Sequence, residues 1–274
     1  MKKIKILLTS FVATLLVLGI LSQLSVWYDN RAAAPAKRLL QGEIPRGDSE
    51  GTDALWLMPY DIPDAAERRQ IMAKLGNKVP EDDQLPESLR QRKLITKDEE
   101  GQSLDCISRN NDGAIVADCL QNVRAHADAY RAVVAKYAKL FDNADRVSQY
   151  SNLDVRALNI SDAFPTYHYL VYQTTPAAVD WLDGKPEAAF ARICRNIRTG
   201  KTLQQSRGGL LPAMIGTTII QNNTRLAAAM LAEQPQWAGK LPENCADAFA
   251  PTGDNAENYC RIMQFEYHLS LIHI

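Results

Sequence analysis

Apolar residues are distributed along this chain in two distinct patterns. At the start, "MKKIKILLTSFVATLLVLGILSQLSVWYDN" carries no charged residue from Ile6 to Trp27. About 20 apolar residues suffice to cross a bilayer as a helix, and the few polar side chains within the run are tolerated because a helix satisfies its own backbone. Further on, apolar positions recur at helical spacing. In "LQNVRAHADAYRAVVAKYAKLF", Val123, Ala127, Tyr130, Val134, Tyr137 and Phe141 step by four and three residues, which predicts one amphipathic helix from Leu120. "KPEAAFARICRNIRTG" predicts a second, opened by Pro186 and stopped by Gly200, with Phe190, Ile193, Cys194 and Ile197 on one face. "LLPAMIGTTIIQ" predicts a third that presents Leu211, Met214, Ile215 and Thr218. A fourth begins at Thr224 and carries Leu226, Met230 and Leu231, with "NNT" as the break between the two. Convincing period-two strands are absent. The expected fold is all-α: an N-terminal transmembrane helix followed by an irregular helical bundle or a short solenoid-like helical domain. No internal repeat selects the solenoid.

These patterns divide the chain. Residues 1–5 are expected to form a cytoplasmic N-terminus and residues 6–28 a transmembrane anchor. Residues 29–104 read as a tether, with a short docked helix over 63–75 and a charged linker after it. Residues 105–268 form the helical exported domain. Lys2, Lys3 and Lys5 hold the N-terminus in the cytoplasm, while Trp27 and Tyr28 suit the far interface. A cleaved signal peptide is the alternative, but the apolar run is longer than a typical signal core. Small residues at a cleavage site are also missing near its end, and Pro35 follows the alanines of "RAAAPAK".

Composition narrows the picture further. With 274 residues, 46% of them hydrophobic, the chain can bury a real core. Basic and acidic residues are almost equal, at 31 and 32, so no basic excess points to nucleic acid. Removing the three leading lysines leaves the rest mildly acidic, unlike a segment meant to lie on anionic lipid.

All five cysteines follow the anchor, so the expected topology places them in an oxidising compartment. Cys106 and Cys119 bracket an Asn-Asn-Asp-Gly turn, which suits a short disulfide loop. Cys194 either pairs with Cys245, leaving Cys260 over, or Cys245 pairs with Cys260. No C-x-x-C or His/Cys cluster suggests a metal. An odd cysteine implies an intermolecular bridge or a missing partner. The closing residues 269–274, "LSLIHI", resemble the translation of an adapter used in sequencing libraries. They read as a non-native tail, with the natural chain expected to continue after about His268. His268 and His273 are accordingly not read as ligands.

Familiar catalytic motifs are missing: there is no H-E-x-x-H and no G-x-S-x-G. "GKT" at Gly200–Thr202 resembles the end of a phosphate-binding loop but follows a helix and has Arg195 where the loop needs glycine. His126 reads as a surface or boundary residue. His168 lies among Tyr167, Tyr169 and Tyr172, and these aromatics either line a ligand pocket or pack the core with hydroxyls at its edge. Gly208 and Gly209, next to Arg207, form either an anion-holding helix start or a plain turn. "ALWLMPYDIP" offers Trp56 and Tyr60 either as docking anchors or as a cap on the domain's own core. Asn159 and Asn222 stand in glycosylation sequons, relevant only in a source that modifies them.

The anchor, "ALWLMPYDIP", the close cysteine pair and "GGLLPAMIG" together resemble uncharacterised membrane-anchored proteins of proteobacteria. The resemblance covers most of the chain, carries no active-site motif, and implies an inner-membrane anchor with a periplasmic helical domain. It implies no activity. The expected function is a protein-interaction or scaffold module of the cell envelope, without cofactor or metal, binding an envelope protein partner. The alternative is a hydrolase-like envelope enzyme with its site near His168.

Overall fold

A computed structural model describes residues 17–28, 31, 49–76, 79–80, 84–95, 104–110, 112–155, 164–206, 208–251, 262–263 and 266. The chain forms two units, Met1–Glu43 and Ile44–Ile274. In the first, residues 17–28 are helical. Their apolar side chains, from Val17 to Trp27, are each more than half exposed. The guanidinium of Arg31 lies 4.7 Å from the centre of the Trp27 ring, a cation–π contact. Among the described residues no helix is long and apolar enough to cross a membrane. Residues 6–16 of the expected anchor lie outside the described residues.

The second unit is mostly helical, with eleven α-helices and one small hairpin among its described residues. It opens with α1 (Glu50–Trp56) and α2 (Ala65–Lys74). Ser49 caps α1 by accepting from the Thr52 N–H, and Asp64 caps α2 by accepting from the Glu67 N–H at 2.7 Å. α2 is thus shorter than the expected 63–75, with Pro63 outside it and Gly76, at φ 71°, just beyond its end. α3 (Glu87–Arg90) follows.

Here the tether reading is corrected. Leu55, Trp56, Leu57, Met58, Ile62, Leu85, Leu89 and Ile95 are all buried in the core. Arg92 and Leu94 return to pair with the backbone of Asp61 and Pro59. Arg68 is buried too, donating to the carbonyls of Ile62 and Pro63 and to the Tyr150 hydroxyl. Proline and charge density misled the sequence reading, because a few well-spaced apolar side chains are enough to dock an irregular segment on a core that other elements supply.

β1 (Ser108–Arg109) and β2 (Ile115–Ala117) form an antiparallel hairpin. Its turn is closed by the Asn110 carboxamide, which accepts from the N–H groups of Asp112 and Ala114, with Gly113 at φ 79°. The predicted single helix from Leu120 is three: α4 (Cys119–Ala125), α5 (Ala127–Lys136) and α6 (Ala138–Val147). The expected residues are still those that face inward. The breaks at His126 and Tyr137 re-aim the stripe, because Val123 and Tyr130 enter one apolar cluster and Tyr137, Phe141 and Val147 another.

α7 (His168–Val171) and α8 (Thr174–Leu182) lead into the longest elements, α9 (Pro186–Gln205) and α10 (Leu210–Glu233). A short 3₁₀ turn, Pro235–Gly239, and α11 (Cys245–Phe249) complete the described helices. Two expectations are corrected. Gly200 does not stop α9, and "NNT" does not interrupt α10. Gly200 lies inside α9 against Gly216 of α10: a Cβ on Gly216 would stand 2.4 Å from the Gly200 carbonyl oxygen, and one on Gly200 2.8 Å from that of Gly216. The absent side chains let two backbones touch. Asn222 and Asn223 are buried at mid-helix, where the Asn223 amide donates to the Ile219 carbonyl at 2.8 Å. Packing against α9 overrides their preference for turns, and the Asn222 sequon is inaccessible.

The glycine contact yields a direct test. Gly216→Ala should lower unfolding stability by about 2 kcal/mol through overpacking, despite alanine's better helix propensity. Urea denaturation showing a stabilised variant would refute the close crossing.

Candidate functional site

The aromatic residues singled out by sequence lie inside the core. Trp56, Tyr60, Tyr167 and Tyr169 belong to one buried cluster. The docking reading of Trp56 and Tyr60 is therefore corrected in favour of core packing: Trp56 is 4% exposed, too little to anchor a partner. His168 is half-buried, its ring 4.1 Å from that of Tyr169 and 5.6 Å from that of Tyr172. The Tyr167 hydroxyl is buried without a hydrogen-bond partner, and burial pushes its pKa well up, so the phenol stays protonated. This neighbourhood is packed rings. Among the described residues no group of three or more His, Cys, Asp and Glu side chains is placed to hold a metal.

The expected Cys106–Cys119 pair is present, and of the two alternatives for Cys245 the structure forms Cys194–Cys245; the Cα atoms are 4.6 and 4.9 Å apart. All four cysteines are buried in the second apolar cluster. Two disulfides suggest an oxidising, extracytoplasmic compartment. Cys260, His268, His273 and residues 269–274 lie outside the described residues, as do Asn159 and Arg207.

The start of α10 carries the first surface feature. Gly209, at φ 86°, is its N-cap, and the Leu210 N–H donates to the Glu266 carboxylate at 2.7 Å. The helix start thus holds the chain's own carboxylate, which answers the anion-site reading of Gly208 and Gly209. One stripe of α10, through Ala213, Gly216, Ile219 and Asn223, is buried. The expected inward residues Leu211 and Met214 face out instead, and with Leu210 they form an apolar turn at 50%, 40% and 58% exposure for 210, 211 and 214. The glycine crossing sets this rotation, since turning Gly216 toward α9 necessarily turns Met214 away.

A second feature was not legible in the sequence. Between the hairpin, the first turn of α4 and the middle of α10 lies a small open cleft of about 30 Å³. Ile107, Leu120, Leu226 and Ala229 form its apolar walls, and Cys119 of the first disulfide lies in its lining. Asn222, Arg225 and Asp118 complete the lining, whose accessible surface is almost wholly apolar. The Asn222 Nδ2 is buried without a hydrogen-bond partner. Arg225 and Asp118 are exposed, and one Asp118 oxygen caps α4 by accepting from the Gln121 N–H at 2.9 Å. Only the pairing of elements distant in sequence brings these groups together; the nearest sequence signal was the sequon asparagine, read there for glycosylation.

Beyond the cleft, Glu233 ties the end of α10 to α4 and α8, accepting from Arg124 at 2.7 Å and from Trp181 Nε1 at 3.0 Å. Burial alone raises the Glu233 pKa, but the hydrogen bonds from Trp181 and Arg124 outweigh it and hold the carboxyl below its ordinary value.

Comparison with protein-family models, curated proteins and solved structures finds no match to this chain.

Two predictions follow from this geometry. Replacing Cys194 and Cys245 together by alanine should destabilise the fold by about 4 kcal/mol and replacing Cys106 and Cys119 by about 3, because the first pair closes the longer loop; chemical denaturation of each variant checks the order. For Glu233, a depressed folded pKa means that stability is present above the unfolded value and lost as pH falls through the folded one. The stability gap between the wild type and Glu233→Gln should therefore be fully open at neutral pH and close in acid, read from melting temperatures across pH.

Proposed function

We propose that this chain is a membrane-tethered helical interaction module of the cell envelope. In this reading the N-terminus lies in the cytoplasm, residues 6–28 cross the inner membrane, and the following domain works in the periplasm. The observation that carries the interaction role is the exposed apolar turn of Leu210, Leu211 and Met214 at the start of a helix of which one stripe is buried. Leaving such residues in water forgoes about 1.5–3 kcal/mol for each that could be fully buried, and a protein partner in the same envelope would recover it. The exposed apolar helix over residues 17–28 supports the tether, since lipid is the solvent in which such a surface costs nothing. The two disulfides support the exported side. The hydrolase reading gains no such support, because the rings beside His168 are packed against one another.

Photocrosslinking tests the proposal. With a benzophenone amino acid at position 214 in intact cells, the chain should stay with membranes after alkaline extraction and crosslink to one envelope protein. Met214→Asp should abolish the copurification of that protein while leaving the disulfides and the circular dichroism spectrum unchanged. Release of the chain by alkaline extraction, or crosslinks to cytosolic proteins alone, would refute the assignment.

A further inference from the structure

The apolar helix of residues 17–28 carries one side chain that neither lipid nor its own chain satisfies. Gln23 stands among Leu21, Leu24 and Val26, and all four are exposed. The neighbouring Ser22 hydroxyl donates to the Gly19 carbonyl at 2.8 Å, so that polar group is satisfied within its own helix. The Gln23 carboxamide has no such partner among the described residues. In water this costs nothing. In hydrocarbon, two N–H donors and a carbonyl oxygen without partners are expensive.

Depth sharpens the problem. Gln23 precedes Trp27 by about one turn, which sets its Cα about 6 Å further from the aromatic belt along the helix. Cα–Cβ bonds in a helix tilt toward its N-terminus. With that terminus in the cytoplasm, the carboxamide leans toward the middle of the bilayer and away from the nearer headgroups. A partner inside the membrane is the direct way to satisfy it.

Gly19 marks the same side of the helix. It precedes Gln23 by four residues, and Val26 follows by three, so the three share one face. A Cβ on Gly19 would meet nothing within 4 Å, so the isolated helix has no need of glycine there. Glycine is also a poor helix former. A second backbone approaching this face makes use of the missing side chain. The opposite face, through Val17, Leu21 and Leu24, is aliphatic and suits lipid.

The chemistry of the amide selects the occupant. A carboxamide is donor and acceptor at once, so it is complementary to another carboxamide. Every copy of the chain inserts in the same orientation, which sets Gln23 of one helix at the depth of Gln23 in the next. A two-fold axis along the membrane normal then brings the two amides together. An unrelated helix would need a polar residue of its own at that depth.

On the tether reading, on which this depends, we propose that the anchor helix pairs in parallel with a second copy of itself. The two Gln23 side chains exchange hydrogen bonds across the axis, Gly19 lets the backbones approach, and Val26 packs against its counterpart. The tether thereby makes the exported domain bivalent.

Disulfide trapping of the full chain in membrane vesicles tests the face, in a Cys260→Ser background so that this cysteine does not contribute. Under oxidant, Val26→Cys should form covalent dimers and Leu24→Cys, on the opposite face, should not. Sedimentation equilibrium of the full chain in detergent micelles tests the amide. Gln23→Leu should weaken dimerisation about tenfold, as expected for losing hydrogen bonds between helices, while Gln23→Asn, which keeps the carboxamide, should retain most of it. Equal trapping at positions 24 and 26, or undiminished association of Gln23→Leu, overturns the pairing. Alkaline extraction of the same vesicles separates this from the tether itself. A chain that is retained but monomeric overturns the pairing alone, whereas a chain that is released overturns both.

Discussion

The contact between Gly200 and Gly216 is the constraint from which most of the second unit follows. α9 and α10 form an antiparallel hairpin whose backbones meet at these two residues, and nothing larger than hydrogen fits at either one. Each glycine costs about 1 kcal/mol of helix propensity relative to alanine, which the close packing of two long helices offsets. On one side of the crossing Leu203 and Ile219 enter the cluster built around α1 and α6; on the other Phe190, Ile193, Leu226 and Met230 enter the cluster that holds both disulfides. The hairpin is thus shared by both cores. Its rotation also decides which residues of α10 see solvent.

Everything else is short. Helices of four to ten residues, such as α3 and α5, are not stable alone in water and depend on docking. The chain secures them with bonds between elements far apart in sequence. Cys245 fastens α11 to α9, Glu233 joins α10 to α4 and α8, and Asn143 on α6 donates to the carbonyls of Met58 and Tyr60. The segment from Gly51 to Ile62 is held in this way without being regular along its length. Its Trp and Tyr look like interface anchors when read alone, and here they complete a core.

The rings around His168 are occupied with each other. Along α10 the apolar turn of Leu210–Met214 stays exposed and, some two turns later, Asn222 and Arg225 line a small cleft with aliphatic walls. One helix offers both because its buried stripe leaves two flanks uncovered at different heights.

Helical periodicity was enough to determine the mostly helical class, the inward residues from Val123 to Phe141 and the apolar face of Phe190, Ile193, Cys194 and Ile197, and a turn signal pointed to the Cys106–Cys119 pair. These depend on local spacing, or on a turn signal such as Asn-Asn-Asp-Gly, which acts over a few residues. Tertiary structure alone decided that Gly200 is a crossing point and not a stop, that Asn222 and Asn223 lie inside a helix, that Trp56 is buried, that Cys245 pairs with Cys194, and that Asp118 and Arg225 line one cleft. The physical reason is the same in each case: glycine, asparagine and tryptophan carry local preferences of about 1 kcal/mol or less, and packing against a partner distant in sequence is worth more.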